Sequence, residues 1–550
     1  MRHACALALF LITGPVAAAE LELRELMLTG ETAPGIEPSP IDEIGTYVDV
    51  FNTSPFQGQP ILGPEGGMGI VAEHGGDGNP STRDSIGSAV WRAAEGTLSF
   101  VTRSGEVAPG TNGAPFFGFP EFSAATAFDL GDGLAFTGSI RSAENAQVFG
   151  LWSTRGGLHK LLLQGEPLLG MPPGAGAFQF AITGRGPAVL VESNWSCPEG
   201  CSLRDEGLWR DLDGTLRPVV KRGDPAPGFR SGDVFDDSGN ASANTGPVHS
   251  WNASETGRVI FNGYVIGSRI DAGNNEGVWM EGPAGLVLLA REGQKVPGKP
   301  GFRWGSRTGF QSFGDFDALR VPILTASGRA LWGASINGGQ YGDLGGLYTN
   351  RSGAIVQLLQ SVFVIGPSSP PLTVATPAPG FGPGHFFRQV FSARMTDQGE
   401  IYFDADVAHQ ANPQSPLPGI FRIRAGSSAI TLVVRAGGPA PGLPGLTLAE
   451  ASIGRLFDTG DYLWRGRLQG PGVNSSNDLA LFLSDPAGVT RPLLRTGDTI
   501  DVQGDGSDLR VLAGFDPAEG PRGGGAVVQQ AYELLFGDGS AGVFLGRLVP

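Results

Sequence analysis

One phrase limits the fold of this chain more than any other feature. It is an apolar strand followed by Arg-x-Gly-Asp/Glu-x-Ala-Pro-Gly, or a decayed copy of it. It occurs at Leu28–Gly35, Arg103–Gly110, Leu163–Gly170, Lys221–Gly228, Arg291–Gly298, Arg435–Gly442 and Arg495–Val502. The spacing demands one more, worn copy near Gln360–Pro367. With that copy the period is roughly 67 residues, in keeping with a propeller or an array of small sheets.

Two further phrases sit between these. The first is a glycine before an apolar and aromatic run: Gly133–Phe136, Gly257–Phe261, Gly328–Trp332 and Gly399–Phe403, with looser copies at Gly69–Val71, Gly186–Val189, Gly460–Trp464 and Gly525–Val528. The second ends on an aromatic ring, at Trp91, Trp152, Trp209, Trp279, Tyr348, Phe421, Phe482 and Phe544. A fourth apolar run follows each of these rings except the last. Each unit therefore contains four short strands, named a to d in chain order. Strand a is aromatic-rich (Phe178–Phe180, Phe386–Phe391), b is the Val-Ala-Phe type, c the Gly-Leu-Trp type and d the Leu-Leu-Val-Arg type. The 88 glycines and 42 prolines suit a chain that turns often, and the 40% hydrophobic content suits one that still buries a core.

A lone four-stranded meander cannot bury both faces, whereas eight around an axis can. The termini point the same way. The chain opens on a d-type strand, Leu23–Leu28, and ends on a c-type strand, Gly542–Leu545. The expectation is an all-β, single eight-bladed β-propeller of four-stranded blades, closed by the N-terminal strand completing the last blade. An open β-array or two smaller domains is the alternative.

Residues 1–19 read as a signal peptide: Arg2 and His3, an apolar run from Ala4 to Ile12, then Ala17, Ala18 and Ala19 before the cleavage point. The propeller is then 20–550, in a secreted or periplasmic protein. No later segment is long and apolar enough for a membrane helix, so membrane insertion is not expected. Cys197 and Cys201 read as a disulfide closing a tight loop in an oxidising compartment. Zinc would need about four ligands, and no partner pair is present, so no metal is assigned. A net charge of −16 repels phosphate backbones and excludes nucleic acid as a partner.

The alternating phrases resemble a family of bacterial exported proteins with tandem Asn-x-x-Gly-x-x-x-x-Ala-Phe repeats. The nearest matches are Thr396–Phe403 and Lys221–Gly228, and the resemblance covers nearly all of the chain from residue 20. It implies export and fold. The family has no characterised activity, so it implies no chemistry.

Antiparallel strands reverse in turn, which puts the a–b and c–d turns on one face and the b–c loops and d–a links on the other. The b–c segments (73–87, 194–206, 263–276, 334–345, 405–418 and 466–478) are long, polar and different in each unit. Variable loops on a rigid scaffold are where binding usually lies. They carry His74, Trp195, Tyr264, Asp271, Asn274, Tyr341, His409, Gln410 and Asn474, a mix of rings, amides and carboxyls suited to a polysaccharide or a cell-envelope protein. The acids of the link phrase, Glu31, Glu106, Glu166, Asp224 and Asp498, read either as a ligand-binding ring or as turn caps, and their recurrence favours the caps. Asp501–Asp508 hints at calcium but lacks the ligand spacing and distal Glu of such a loop. No nucleophile elbow, phosphate loop or metalloprotease helix is present, and no cofactor is implied. Two functions remain: a non-enzymatic binding scaffold, or a carbohydrate-active hydrolase or lyase whose site is assembled from several blades at the central channel.

Overall fold

A computed structural model describes residues 20–28, 35, 41–44, 67–74, 87–94, 97–119, 127–171, 176–185, 188–196, 205–236, 248–271, 273–305, 322–338, 343–362, 371–517 and 529–549. The strands form eight antiparallel sheets in a ring. Blade 1 comprises Ile41–Ile44, Met68–His74, Gly87–Ala94 and Thr97–Arg103. Blades 3, 6 and 7 repeat this order, as in His385–Met395, Ile401–His409, Asn412–Ile423 and Ile430–Arg435 of blade 6. In blades 2, 4 and 5 strand a is divided in two, as in Phe116–Gly118 and Ala127–Asp129, and both parts pair with strand b. Strand a packs against the blade before it, as Ala127–Asp129 does against Met68–His74 and Thr447–Leu456 against His385–Met395 and Asn412–Ile423.

The last blade holds Leu509–Pro517, Gln529–Phe536 and Ala541–Val549. Its fourth strand is Glu20–Leu28, paired antiparallel with the C-terminal strand from Glu20↔Val549 to Leu28↔Gly542, and the short strand Thr499–Asp501 pairs with Leu509–Pro517 on the other edge. Ring closure therefore joins the two ends of the described chain, as the offset of its end strands implies.

The three phrases meet inside each blade. Rings from strands b and c face each other in register and stack: Phe261 on Trp279 at 5.7 Å, Phe403 on Phe421 at 5.4 Å, Trp464 on Phe482 at 4.2 Å. A ring from strand a meets the c ring edge-on, as Phe235 meets Trp279 at 4.9 Å and Phe387 meets Phe421 at 4.8 Å. Offset and edge-to-face pairs of this kind add about 0.5–1.5 kcal/mol each beyond the area they bury. The indole folds back over the glycine two residues earlier, and a Cβ on Gly207 or Gly277 would lie 2.6 Å from the ring. Three of these indole N–H groups reach the preceding link: Trp152 donates to Pro109 O (3.2 Å), Trp209 to Leu169 O (2.9 Å) and Trp279 to Pro227 O (3.0 Å). In blades 2, 3 and 4 a hydrogen bond thus ties the strand-c tryptophan to the link before it.

Arginines stitch neighbouring blades on the a–b face. Arg210 donates to Gly257 O at 2.9 Å and Arg351 to Gly399 O at 2.8 Å, each reaching the a–b turn of the next blade. Arg92 reaches Gly131 O, Arg258 reaches Ala326 O and Arg329 reaches Asp397 O in the same way.

Two readings from sequence change. The link copy between blades 5 and 6 is split rather than worn: Val362 takes up the ladder, residues 363–375 are inserted, and Thr376–Gly380 completes the phrase against Phe387. The segment 405–418 is no loop, because strands b and c run on to a tight turn at Gln410 and Ala411. The Gly525–Val528 copy in blade 8 lies outside the described residues.

Candidate functional site

The link acids are turn caps. Asp224 Oδ2 accepts the Lys221 N–H at 3.0 Å, Glu166 Oε2 that of Leu163 at 3.1 Å, and Asp498 Oδ2 that of Arg495 at 2.9 Å. Glu106 accepts the Thr102 hydroxyl at 3.0 Å and pairs with Arg103 at 3.5 Å. Lys221 and Lys160 complete ion pairs with Asp224 and Glu166. These carboxylates face their own turns rather than a shared ligand, and Glu31 lies outside the described residues. Asp501 behaves likewise, accepting the N–H groups of Gly504 and Gly506 at 2.9 and 2.8 Å.

The b–c face gathers candidate residues in two places. The first is the loop of blade 4. Half-buried Tyr264 lies on strand b opposite Glu276, the first residue of strand c. Asp271 Oδ1 accepts the Gly273 N–H at 2.9 Å, and Asn274 Oδ1 accepts that of Asp271 at 3.3 Å, so both side chains shape the loop they stand on. Behind them is Glu292, which sequence reasoning missed. It occupies the variable position of the link phrase. Ser104, Gln164 and Thr496 fill that position elsewhere and accept the backbone N–H of Ser88, Phe149 and Leu479 near the start of strand c. A carboxyl does the same work in blade 4, accepting from Asn275 and Glu276, and it is 5% exposed. Burial pushes its pKa up to about 7; those two hydrogen bonds oppose the rise and nearby Asp271 adds to it. Its Oε2 has no hydrogen-bond partner among the described residues.

The second place is the blade-6 hairpin. His409 ends strand b directly opposite His385, the first residue of strand a, with ring centres 4.7 Å apart. Exposed Gln410 follows, its N–H donating to Gly384 O at 2.8 Å. Sequence reasoning found His409 and Gln410 but not His385. Two bulges in strand a, at Phe387/Gln389 and Val390/Ser392, shift the register that brings the rings together.

The remaining candidates stand apart. Exposed Asn474 caps its own loop, accepting the Ser476 N–H at 2.9 Å. His74 and Trp195 close the b strands of blades 1 and 3, so Trp195 is a strand residue rather than a loop residue. Tyr341, Cys197 and Cys201 lie outside the described residues. Among the described residues no three His, Cys, Asp or Glu side chains gather as a metal group, and no helix is long and apolar enough to cross a membrane.

An all-β ring of eight antiparallel sheets, closed by pairing of the N-terminal strand with the C-terminal one, is a β-propeller. The chain belongs to a family of unknown function, DUF7453, whose model matches residues 60–248, 253–373 and 371–550. No curated protein matches the sequence. Among solved structures, the β-propeller domain of the Trilobed protease from Pyrococcus furiosus is similar, with 8% identity, 80% of this chain and 99% of that one covered, and a TM-score of 0.33. The polysaccharide lyase Uly1 gives 8% identity, coverages of 78% and 91% and a TM-score of 0.32. The α-L-arabinanase of Penicillium chrysogenum gives 10%, 66%, 91% and 0.25. Scores this low add nothing to the propeller assignment, which rests on the eight sheets and their closure.

Proposed function

We propose that this chain is an exported, non-enzymatic binding scaffold that recognises a polysaccharide or a cell-envelope protein on its b–c face. The observation that supports it most is the contrast between the two faces. On the a–b face, backbone carbonyls and arginines are consumed in stitching blade to blade. On the b–c face, loops 270–275 and 470–477 are held in shape by their own Asp and Asn side chains, and the blade-6 hairpin carries exposed Gln410 beside two imidazoles. Loops fixed in advance lose little entropy on binding, which favours recognition. A signal peptide ending at Ala19 and a Cys197–Cys201 disulfide belong to the same reading.

The test is a glycan array together with a pull-down from envelope extract, run with the wild type and with a His409→Ala, Gln410→Ala double variant. Retention of a glycan or an envelope protein that the variant loses is expected. Empty results from both assays would sink the reading.

Glu292 favours a second reading, a carbohydrate-active hydrolase or lyase. A carboxyl raised to about 7, with one oxygen unpartnered among the described residues, has the proton affinity of a general acid. Loss of turnover in Glu292→Gln, on a polysaccharide that the wild type cleaves, would select it.

A further inference from the structure

The geometry points to a divalent transition-metal site formed by His385 and His409 at the outer end of the blade-6 hairpin. Four observations converge there. The two histidines are cross-strand partners in an antiparallel ladder, so their side chains leave the sheet on the same side. Their ring centres lie 4.7 Å apart with planes inclined at 60°. Two nitrogens bound at about 2.0–2.1 Å to one tetrahedral ion stand within roughly 3.5 Å of each other, so rings this close reach that spacing by side-chain rotation alone. His385 Nδ1 is buried without a hydrogen-bond partner among the described residues, the situation in which an ion or a water usually completes a polar group.

The fourth observation is the space beside the rings. Gly384 has φ +79°, and a Cβ there would lie 2.8 Å from His409 Nε2 and 3.5 Å from Gln410 Nε2. Only glycine leaves that volume open, and the Gln410 amide borders it. The site would take His385 through Nδ1 and His409 through Nε2, with the Gln410 carbonyl oxygen and water as further ligands. In the free protein His409 Nδ1 accepts the Ala411 N–H at 3.2 Å. Capture at Nε2 shifts the ring proton to Nδ1 and hands that exposed turn amide to water. Imidazole donors without a carboxylate select zinc, copper or nickel over calcium or magnesium. The chain's net charge of −16 favours cation uptake.

The inference stands apart from the glycan or protein reading and is tested without either ligand. Tag-free protein is titrated calorimetrically with ZnCl2, and the nitrogen ligands are counted by electron paramagnetic resonance with CuCl2. The variants are His385→Asn and His409→Asn, with circular dichroism confirming the fold. One equivalent of Zn2+ is expected, with affinity at least tenfold weaker in each variant, and a copper spectrum with two nitrogen ligands that falls to one. Absence of Zn2+ uptake, or uptake that survives either substitution, overturns the site.

Discussion

Replacing Glu292 by Gln should make the protein more stable at neutral pH and leave it unchanged in acid. The carboxyl is 5% exposed, and its pKa is raised from 4.5 to about 7 mainly by burial. A shift of about 2.5 units, at about 1.4 kcal/mol per unit, corresponds to roughly 3 kcal/mol. The sign follows from proton binding. Between pH 4.5 and 7 the folded state holds the Glu292 proton and the unfolded chain releases it, so stability falls as pH rises through that window. Below it both states are protonated and nothing is lost. Above it the folded protein carries a buried carboxylate and bears the full cost. The glutamine side chain keeps an oxygen for the Asn275 and Glu276 N–H groups and has no charge to bury. Urea midpoints for both proteins at about pH 4.5, 6 and 8 read the effect. The two should coincide at the lowest pH and separate by up to about 3 kcal/mol at the highest, with the variant the more stable. A separation that is the same at all three values, or a variant weaker at the highest pH, would refute the reasoning.

Further expectations concern the blade core and processing. Gly277→Ala puts a Cβ 2.6 Å from the Trp279 ring and should cost about 1–3 kcal/mol, seen as a lowered melting temperature. Trp279→Phe keeps a ring against Phe261 but strands the Pro227 carbonyl, and a loss of about 1–3 kcal/mol in chemical denaturation is expected. Mass spectrometry of the exported protein should find Glu20 as its first residue, and uncleaved chain would contradict the signal-peptide reading.

The architecture was legible because its devices are local and repeated. The indoles of Trp209 and Trp279 fold back over the glycine two residues earlier, and a small residue, Gly or Ala, holds that position in every blade. The link acids were legible as turn caps because an acid directly after the link glycine does the same work at Asp224 and Asp498. What escaped depended on register or on a departure from the repeat. His385 meets His409 only after two bulges, which residue counting does not reveal. Glu292 was in plain view as the one acid at a position that otherwise holds Ser, Gln, Thr, Arg or Ala in the matching phrases, but its burial depends on strand c of its own blade. The insertion at 363–375 hid a complete link copy by moving its second half beyond the expected spacing.

The closed ring depends on the N-terminal strand completing the last blade. Glu22 and Arg547 are antiparallel partners across that junction. Such pairs have Cα atoms about 4.5–5.5 Å apart, within disulfide reach. A Glu22→Cys, Arg547→Cys double variant, oxidised at low concentration and mapped by mass spectrometry, tests the closure. A peptide joining positions 22 and 547 within one monomer is the expected result. Free thiols at both positions, or links between molecules only, would contradict the closed eight-bladed propeller.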